Sequence, residues 1–120
     1  MLTEKGSLPV GIEYAGKVHR EFEIRPQLVR DSIDAVEEDR ARNNDSYLGL
    51  SVLAKQMIRL GDIPPAEITP DLLLGLYDVD LAAIQKASGR LQSRLLSFRG
   101  ANEGAAANSS GAGETGGSLA

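Results

Sequence analysis

Cysteine and tryptophan are missing from this chain of 120 residues, and His19 is its only histidine. Without cysteine the chain has no disulfide bond, no thiol nucleophile and no thiolate zinc site. His19 stands beside Arg20 and Glu21, and no acid or nucleophile is placed to make it a general base. The sequence therefore predicts a protein that is not an enzyme and that needs no metal and no cofactor.

Long apolar runs are also missing. No run approaches the roughly 20 residues that cross a membrane, and the N-terminus lacks the basic and apolar segment of a signal peptide. Together with the absence of cysteine, this predicts a soluble cytoplasmic protein without a membrane partner. The net charge of -4 argues against a nucleic-acid partner, because nucleic-acid-binding proteins gain most of their affinity by neutralising phosphates.

Two further patterns have simple structural explanations. Asp78 and Asp80 resemble half of a carboxylate cluster, but an N-cap and a first-turn acid of a helix account for both. Gly6, Gly11 and Gly16 are too widely spaced for a phosphate-binding loop. Neither pattern predicts catalysis.

Apolar residues alternate between positions 8 and 24, which predicts a β-hairpin with one apolar face. A two-residue turn ending at Gly16 places Ile12 opposite His19 and mixes apolar with polar residues. A three-residue turn ending at Gly16 places Ile12 opposite Val18 instead. Because opposed residues share a face, the sequence favours the three-residue turn.

Helical spacing follows the hairpin. A first helix starts at Pro26, and a second, capped by Asp45 or Ser46, ends before Gly61. In the first helix the predicted buried stripe is Leu28 or Val29, Ile33 and Val36, and the predicted acidic outer face is Asp31, Asp34, Glu37, Glu38 and Asp39. The apolar residues of the second helix are Leu48, Leu53, Met57, Ile58 and Leu60.

Two more helices complete the chain. Thr69 caps a short apolar helix from Pro70 to Leu76, and Asp78 caps a long one from Leu81 to Phe98. The apolar stripe of the long helix is Ile84, Ala87, Leu91, Leu95 and Phe98.

The predicted fold class is α+β and mainly α, with an N-terminal β-hairpin packed on a bundle of three to four helices. Residues 1–7 are expected to form a flexible arm, and residues 8–99 a single domain. Residues 100–120 are rich in Gly, Ala and Ser, and such a tail cannot bury enough surface to offset its ordering entropy. We therefore expect this tail to be disordered.

Lys86, Arg90 and Arg94 repeat at every fourth position of the last helix. They are explained either as a solvated face that suits a helix C-terminus or as a docking ridge for an acidic or amphipathic partner helix. The predicted partner-binding residues are Lys86, Arg90, Leu91, Arg94, Leu95 and Phe98. An accessible apolar edge there also favours a homo-oligomer while the partner is absent. Alternatively, the apolar face of the hairpin covers the whole stripe.

Five features occur in a characteristic order. They are a hairpin turning at Tyr14-Ala15-Gly16-Lys17, an exit at Arg25-Pro26 into an acid-rich helix, an apolar helix ending at Leu60-Gly61, a turn with Ile68-Thr69-Pro70, and Leu76-x-x-x-Asp80-Leu81 leading into the last helix. Their order and spacing resemble the tail assembly chaperone family of long-tailed bacteriophages, in the branch found in Mu-like and P2-like contractile-tailed phages. The resemblance covers roughly residues 8–98 and does not extend to the tail.

The resemblance implies a non-catalytic role in viral morphogenesis. Such chaperones bind the helical tape measure protein in the host cell cytoplasm, keep it soluble before the tail tube polymerises, and are absent from the mature virion. In several phages a frameshifted longer product also recruits the tail tube protein. The alternative is an acidic antitoxin-like or regulatory helical binding module, in which the Arg-bearing last helix binds DNA or a toxin.

Overall fold

The computed structural model describes residues 2–104, and the side chains of residues 2–98. Three strands in the described part form one antiparallel sheet in the order β1-β2-β3, and the helices pack around it. The strands are β1 (Glu4–Tyr14), β2 (Lys17–Ile24) and β3 (Met57–Leu60). The helices are α1 (Val29–Ala35), α2 (Asp39–Arg42), α3 (Asp45–Gln56), α4 (Pro70–Leu73) and α5 (Asp78–Gly104), with a 3-10 turn at Pro65–Glu67. The predicted α+β, mainly helical class with an N-terminal hairpin is confirmed.

The first strand begins earlier than the sequence predicts. Glu4 already pairs with Ile24, so residues 4–7 belong to the hairpin and not to a flexible arm. Arg90 and Arg94 of α5 both bind the Glu4 carboxylate, which fixes the start of β1 against the last helix.

The predicted three-residue turn is wrong. Tyr14 pairs with Lys17 and Ile12 pairs with His19, so only Ala15 and Gly16 form the turn. Both turn residues have positive φ, 52° for Ala15 and 77° for Gly16, as a type I′ hairpin turn requires. The prediction is wrong because the two strands do not pair without interruption along the whole hairpin.

A large bulge interrupts the pairing of β1 with β2. Ser7 pairs with Glu21 and Ile12 with His19, so residues 8–11 of β1 lie opposite Arg20 alone. Arg20 donates from its side chain to the carbonyl oxygens of residues 8 and 9, at 3.0 and 2.7 Å. Because side chains alternate along a strand, these extra residues change which side of β2 faces the core on the far side of the bulge. His19 is therefore buried together with Ile12.

Asp80 of α5 holds the bulge in place. Its carboxylate accepts the N–H groups of Val10 at 2.8 Å and Gly11 at 2.9 Å, and its side chain is fully buried. The α5 helix begins at Asp78 itself, and the Tyr77 carbonyl accepts its first N–H bonds. Asp78 is thus the first helical residue and not the predicted cap, and Asp80 is a tertiary anchor.

The predicted second helix ends early. Asn44 caps α3 in place of Asp45 or Ser46, by accepting the N–H of Tyr47. The helix then stops at Gln56, and Met57–Leu60 forms β3 beside β2. Met57 and Leu60 are buried in β3, and their spacing would also suit the buried side of a helix. Apolar spacing alone therefore did not distinguish a helical turn from a short strand.

The last helix is longer than predicted, because α5 runs from Asp78 to Gly104. Residues 100–104 of the predicted disordered tail are therefore helical, and residues 105–120 lie outside the described part of the chain. The short helix α4 stops at Leu73, three residues before its predicted end.

One hydrophobic core lies between the sheet and the helices. The first half of α5 packs along β1, and the buried residues Ile84, Ala87 and Leu91 confirm the start of the predicted stripe. The core consists of Leu8, Ile12, Phe22, Ile24, Leu53, Met57, Leu60, Ile63, Ile68, Leu73, Ile84, Ala87 and Leu91.

Candidate partner-binding groove

A groove runs along α5 on the side away from β1. Its outer half has a volume of about 580 Å³ and lies between α3 and the first turns of α5. Its inner half, of about 390 Å³, lies between the start of α1 and the middle of α5. Gln27, Gln56 and Ser88 line both halves, so the two form one continuous surface, which we call the α5 groove.

The walls of the α5 groove carry almost no charge. The inner half is lined by Pro26, Gln27, Leu28, Val29, Ser32, Gln56, Ser88, Leu91, Gln92 and Leu95. The outer half is lined by Gln27, Asp45, Ser46, Leu48, Gly49, Leu50, Val52, Leu53, Gln56, Leu81, Gln85 and Ser88. Asp45 is the one charged side chain among these residues, so the surface suits an uncharged face of a partner.

The orientation of α1 is opposite to the prediction. Leu28, Val29, Ile33 and Val36, which the sequence places in the core, are all exposed, and 82% of Val29 is accessible to solvent. Asp31, predicted on the acidic outer face, is buried together with Ala35. The apolar side of α1 therefore faces outward, and Leu28 and Val29 form one edge of the α5 groove.

An ion pair explains this orientation. Arg25, the last residue before the predicted first helix, binds Asp31 through two hydrogen bonds of 2.8 and 2.9 Å. The Asp31 carboxylate also accepts the N–H of Leu28 at 2.8 Å, at the start of α1. The Arg25 hydrogen bond is the main cause that holds the pKa of Asp31 below its usual value. A buried carboxylate must keep such partners, so the pair turns Asp31 inward and the valines outward.

The predicted cationic ridge does not border the groove. Arg90 and Arg94 lie on the β1 side of α5 and bind Glu4, with Arg90 Nε 2.9 Å from the carboxylate. These hydrogen bonds, from Arg90 first and Arg94 second, hold the pKa of Glu4 below its usual value. Lys86 is exposed, and it does not line the α5 groove.

The predicted apolar residues are distributed over three environments. Leu91 is buried in the core and forms part of the groove floor, and Leu95 is half-buried at the inner end of the groove. Phe98 is 57% exposed and does not line the groove, and Leu96 nearby is 66% exposed. The structure thus brings together Leu91 and Leu95 but not the cations predicted beside them.

Both ring nitrogens of His19 form hydrogen bonds within the protein. Its Nδ1 accepts the N–H of Asp62 at 3.1 Å, and its Nε2 donates to the carbonyl oxygen of Tyr14 at 3.2 Å. Because one partner can only donate and the other can only accept, these contacts define the neutral tautomer. Among residues 2–104, no group of three His, Asp or Glu side chains is arranged to hold a metal ion. None of the helices in that range is long and apolar enough to cross a membrane.

Sequence reasoning missed the residues of α1 and α3 that line the groove. Gln27 and Gln56 could not be identified as groove residues from the sequence, because isolated glutamines are common on protein surfaces. One signal was present in α5, where Leu81, Ser88 and Leu95 recur at intervals of seven residues and all line the groove. A search for heptads in addition to buried stripes finds this pattern.

Comparisons with known proteins found no match to this chain. No protein-family model matches the chain, and neither the curated proteins nor the solved structures include a match.

Proposed function

We propose that this protein is a non-catalytic tail assembly chaperone of a contractile-tailed phage, which binds the tape measure protein and keeps it soluble during tail assembly. The proposal rests on the resemblance described above, and the α5 groove is the observation that carries it. A binding protein of this kind needs an accessible apolar surface that accepts helices, and the groove has helices on both sides and almost no charge.

The dimensions of the groove suit a helix. It extends along α5 from Leu81 to Leu95, which are 14 positions apart, and at 1.5 Å per position this is about 21 Å. The exposed side chains of Val29 and Ile33 extend the apolar surface outward along α1. Exposed apolar surfaces of this kind are typical of protein-binding sites.

The antitoxin-like alternative depends on the cations of α5. Arg90 and Arg94 both bind the single carboxylate of Glu4, so one of their two positive charges is neutralised and both side chains are held against β1. A DNA-binding helix instead directs its cations to phosphates. This observation favours the chaperone over the DNA-binding module.

The remaining parts of the proposal follow from the same role. The protein acts in the host cell cytoplasm and is absent from the mature virion, because it leaves as tube subunits cover the tape measure protein. Contact with the tail tube protein belongs to a frameshifted longer product where a phage makes one.

Co-expression with the tape measure protein tests the proposal. We expect the tape measure protein to be soluble and to co-purify with the wild-type chain. Val29→Glu places a charge at the groove edge on a side chain that is already exposed, and should weaken co-purification about tenfold without a change in melting temperature. Val79→Glu is the matched control, since Val79 is exposed on α5 and does not line the groove. A tape measure protein that stays insoluble and unbound beside the wild-type chain contradicts the proposal.

A further inference from the structure

The groove side of α5 repeats every seven residues. Leu81, Ser88 and Leu95 occupy one heptad position, and Gln85 and Gln92 occupy another. Seven residues make about two helical turns, so the members of each set lie in a row along the groove, about 10.5 Å apart. This is the repeat with which helices pack side by side in coiled coils.

The middle of the row is polar. Ser88 stands between the two leucines, and across the groove from it lie Gln27 and Gln56. The side-chain nitrogen of Gln27 donates to Ser32 Oγ at 3.1 Å, and that of Gln56 donates to the Arg25 carbonyl at 3.1 Å. Each amide nitrogen uses one of its two N–H groups in these bonds, so both amides can still donate as well as accept a hydrogen bond with a ligand.

Charge limits what the groove can hold. No charged side chain is found among the ten that line the inner half, and Asp45 is the one in the outer half. A highly charged ligand such as a nucleic acid or an acidic peptide would lose its solvation there without gaining an opposite charge. An uncharged helix face is complementary along the whole groove, and a cation at one end suits Asp45.

We infer that the α5 groove binds one amphipathic helix of a partner protein in a fixed register. A side chain that both donates and accepts hydrogen bonds, such as Asn, packs against Ser88, and apolar residues seven positions to either side pack against Leu81 and Leu95. The inference rests on the proposed function, in which that helix belongs to the tape measure protein. A single polar residue at a core position fixes the register of paired helices, because any shift leaves it buried without a partner.

Two synthetic peptides separate this recognition from plain apolar binding. Both are amphipathic helices of about three heptads with leucine core positions and a lysine at each end. One has Asn at the central core position and the other has Leu. The leucine core positions are placed symmetrically about the central residue. Each peptide can therefore bind in either direction along the groove. We expect the full-length protein to bind the Asn peptide about tenfold more tightly than the Leu peptide in fluorescence anisotropy.

Substitution of Ser88 provides the internal control. Ser88→Leu should reverse the preference, so that the Leu peptide binds more tightly. Ser93→Leu makes the same change on an exposed residue of α5 outside the groove and should leave the preference unchanged. If Ser88→Leu disturbs folding, as judged by melting temperature, Ser88→Ala takes its place and should remove the preference. Equal binding of the two peptides by the wild-type chain, or a preference that survives in the folded Ser88 variants, overturns the inference.

Co-purification distinguishes this inference from the proposed function. If the tape measure protein co-purifies equally with wild type and Ser88→Leu, the inference fails and the proposed function stands. If the peptide preference reverses as expected but no tape measure protein binds, the inference stands and the proposed function fails. A wild-type dimer that Ser88→Leu dissociates, with neither peptide bound, assigns the groove to a second copy and overturns the inference.

Discussion

Asp80 accepts the backbone N–H of Gly11 at 2.9 Å, across 69 positions of the chain. Gly11 has a φ of 100°, and a Cβ added there would lie 2.6 Å from the Val18 side chain, so the position requires glycine. The same carboxylate accepts the neighbouring N–H of Val10. The bulge and the start of α5 therefore stabilise each other.

Loss of this anchor should destabilise the protein. Asp80→Asn keeps the shape of the side chain but replaces one acceptor by a donor that faces an N–H group. We expect a loss of about 2 kcal/mol in the free energy of unfolding, measured by urea denaturation. Asp78→Asn, at an exposed position two residues earlier, should change that energy by less than about 0.5 kcal/mol. Equal effects of the two substitutions would refute the anchoring role.

The Arg25–Asp31 pair should make stability depend on pH. Arg25 holds the pKa of Asp31 below its ordinary value of 3.8, mainly through their hydrogen bond. A carboxylate whose pKa is lower in the folded chain stabilises the fold above the unfolded value, and this contribution is lost as the pH falls through the folded value. At pH 7 we expect Asp31→Asn to be less stable than wild type by about 3 kcal/mol.

The test of that pair is the difference in unfolding free energy between wild type and Asp31→Asn across the acid range. It should be constant near neutral pH and shrink as the pH falls below 3.8, the ordinary value for the carboxyl group. Asp34→Asn, at an exposed position of α1, serves as the control. A difference that stays constant down to pH 2 would rule out the pair as its cause.

Two glycine substitutions should act in opposite directions. Gly61 has a φ of 56°, and an added Cβ would lie 2.3 Å from His19 Nδ1, so Gly61→Ala should cost about 2 kcal/mol or more. Gly89 is an exposed residue of α5 with open space around it, so Gly89→Ala should stabilise the protein by about 1 kcal/mol. Thermal unfolding of the two variants measures both changes, and a stable Gly61→Ala would contradict the close packing of His19.

Ser51 offers a substitution that should stabilise the fold. Its hydroxyl is fully buried in α3 and has no hydrogen-bond partner within the described residues. Burial of an unpaired hydroxyl costs roughly 1–3 kcal/mol, and alanine is also the better helix former. We expect Ser51→Ala to raise the free energy of unfolding by about 1 kcal/mol, while Ser46→Ala on the exposed side of α3 should have little effect. A less stable Ser51→Ala would indicate that the hydroxyl does have a partner.

Local signals predicted much of this fold. The alternating strands, the Thr69 cap and the buried start of the α5 stripe all depend on neighbouring residues, and the structure contains each of them. β3 could not be predicted in this way, because Met57 and Leu60 suit a helix as well as a strand. Pairing with β2 decides between the two, and that pairing involves residues more than thirty positions away.

The candidate site was less predictable for a related reason. Apolar periodicity assigns Val29 and Ile33 to a core, but the periodicity carries no information on which side of a helix meets the core. The Arg25–Asp31 pair decides that in the structure, and charge patterns alone placed Asp31 on the surface. Two of the six predicted partner-binding residues, Leu91 and Leu95, line the groove, because both depend on the same helical spacing as the core.

The bulge at residues 8–11 also separates the register of the hairpin tip from the register of the rest of the sheet. Strand pairs on its two sides differ in register, and the inner pairs are fixed by β3. A loop inserted between Ala15 and Gly16 would therefore lengthen the tip without displacing Phe22 or Ile24. The tip is therefore a suitable place to insert an affinity tag or a fluorescent label, because none of its residues lines the α5 groove.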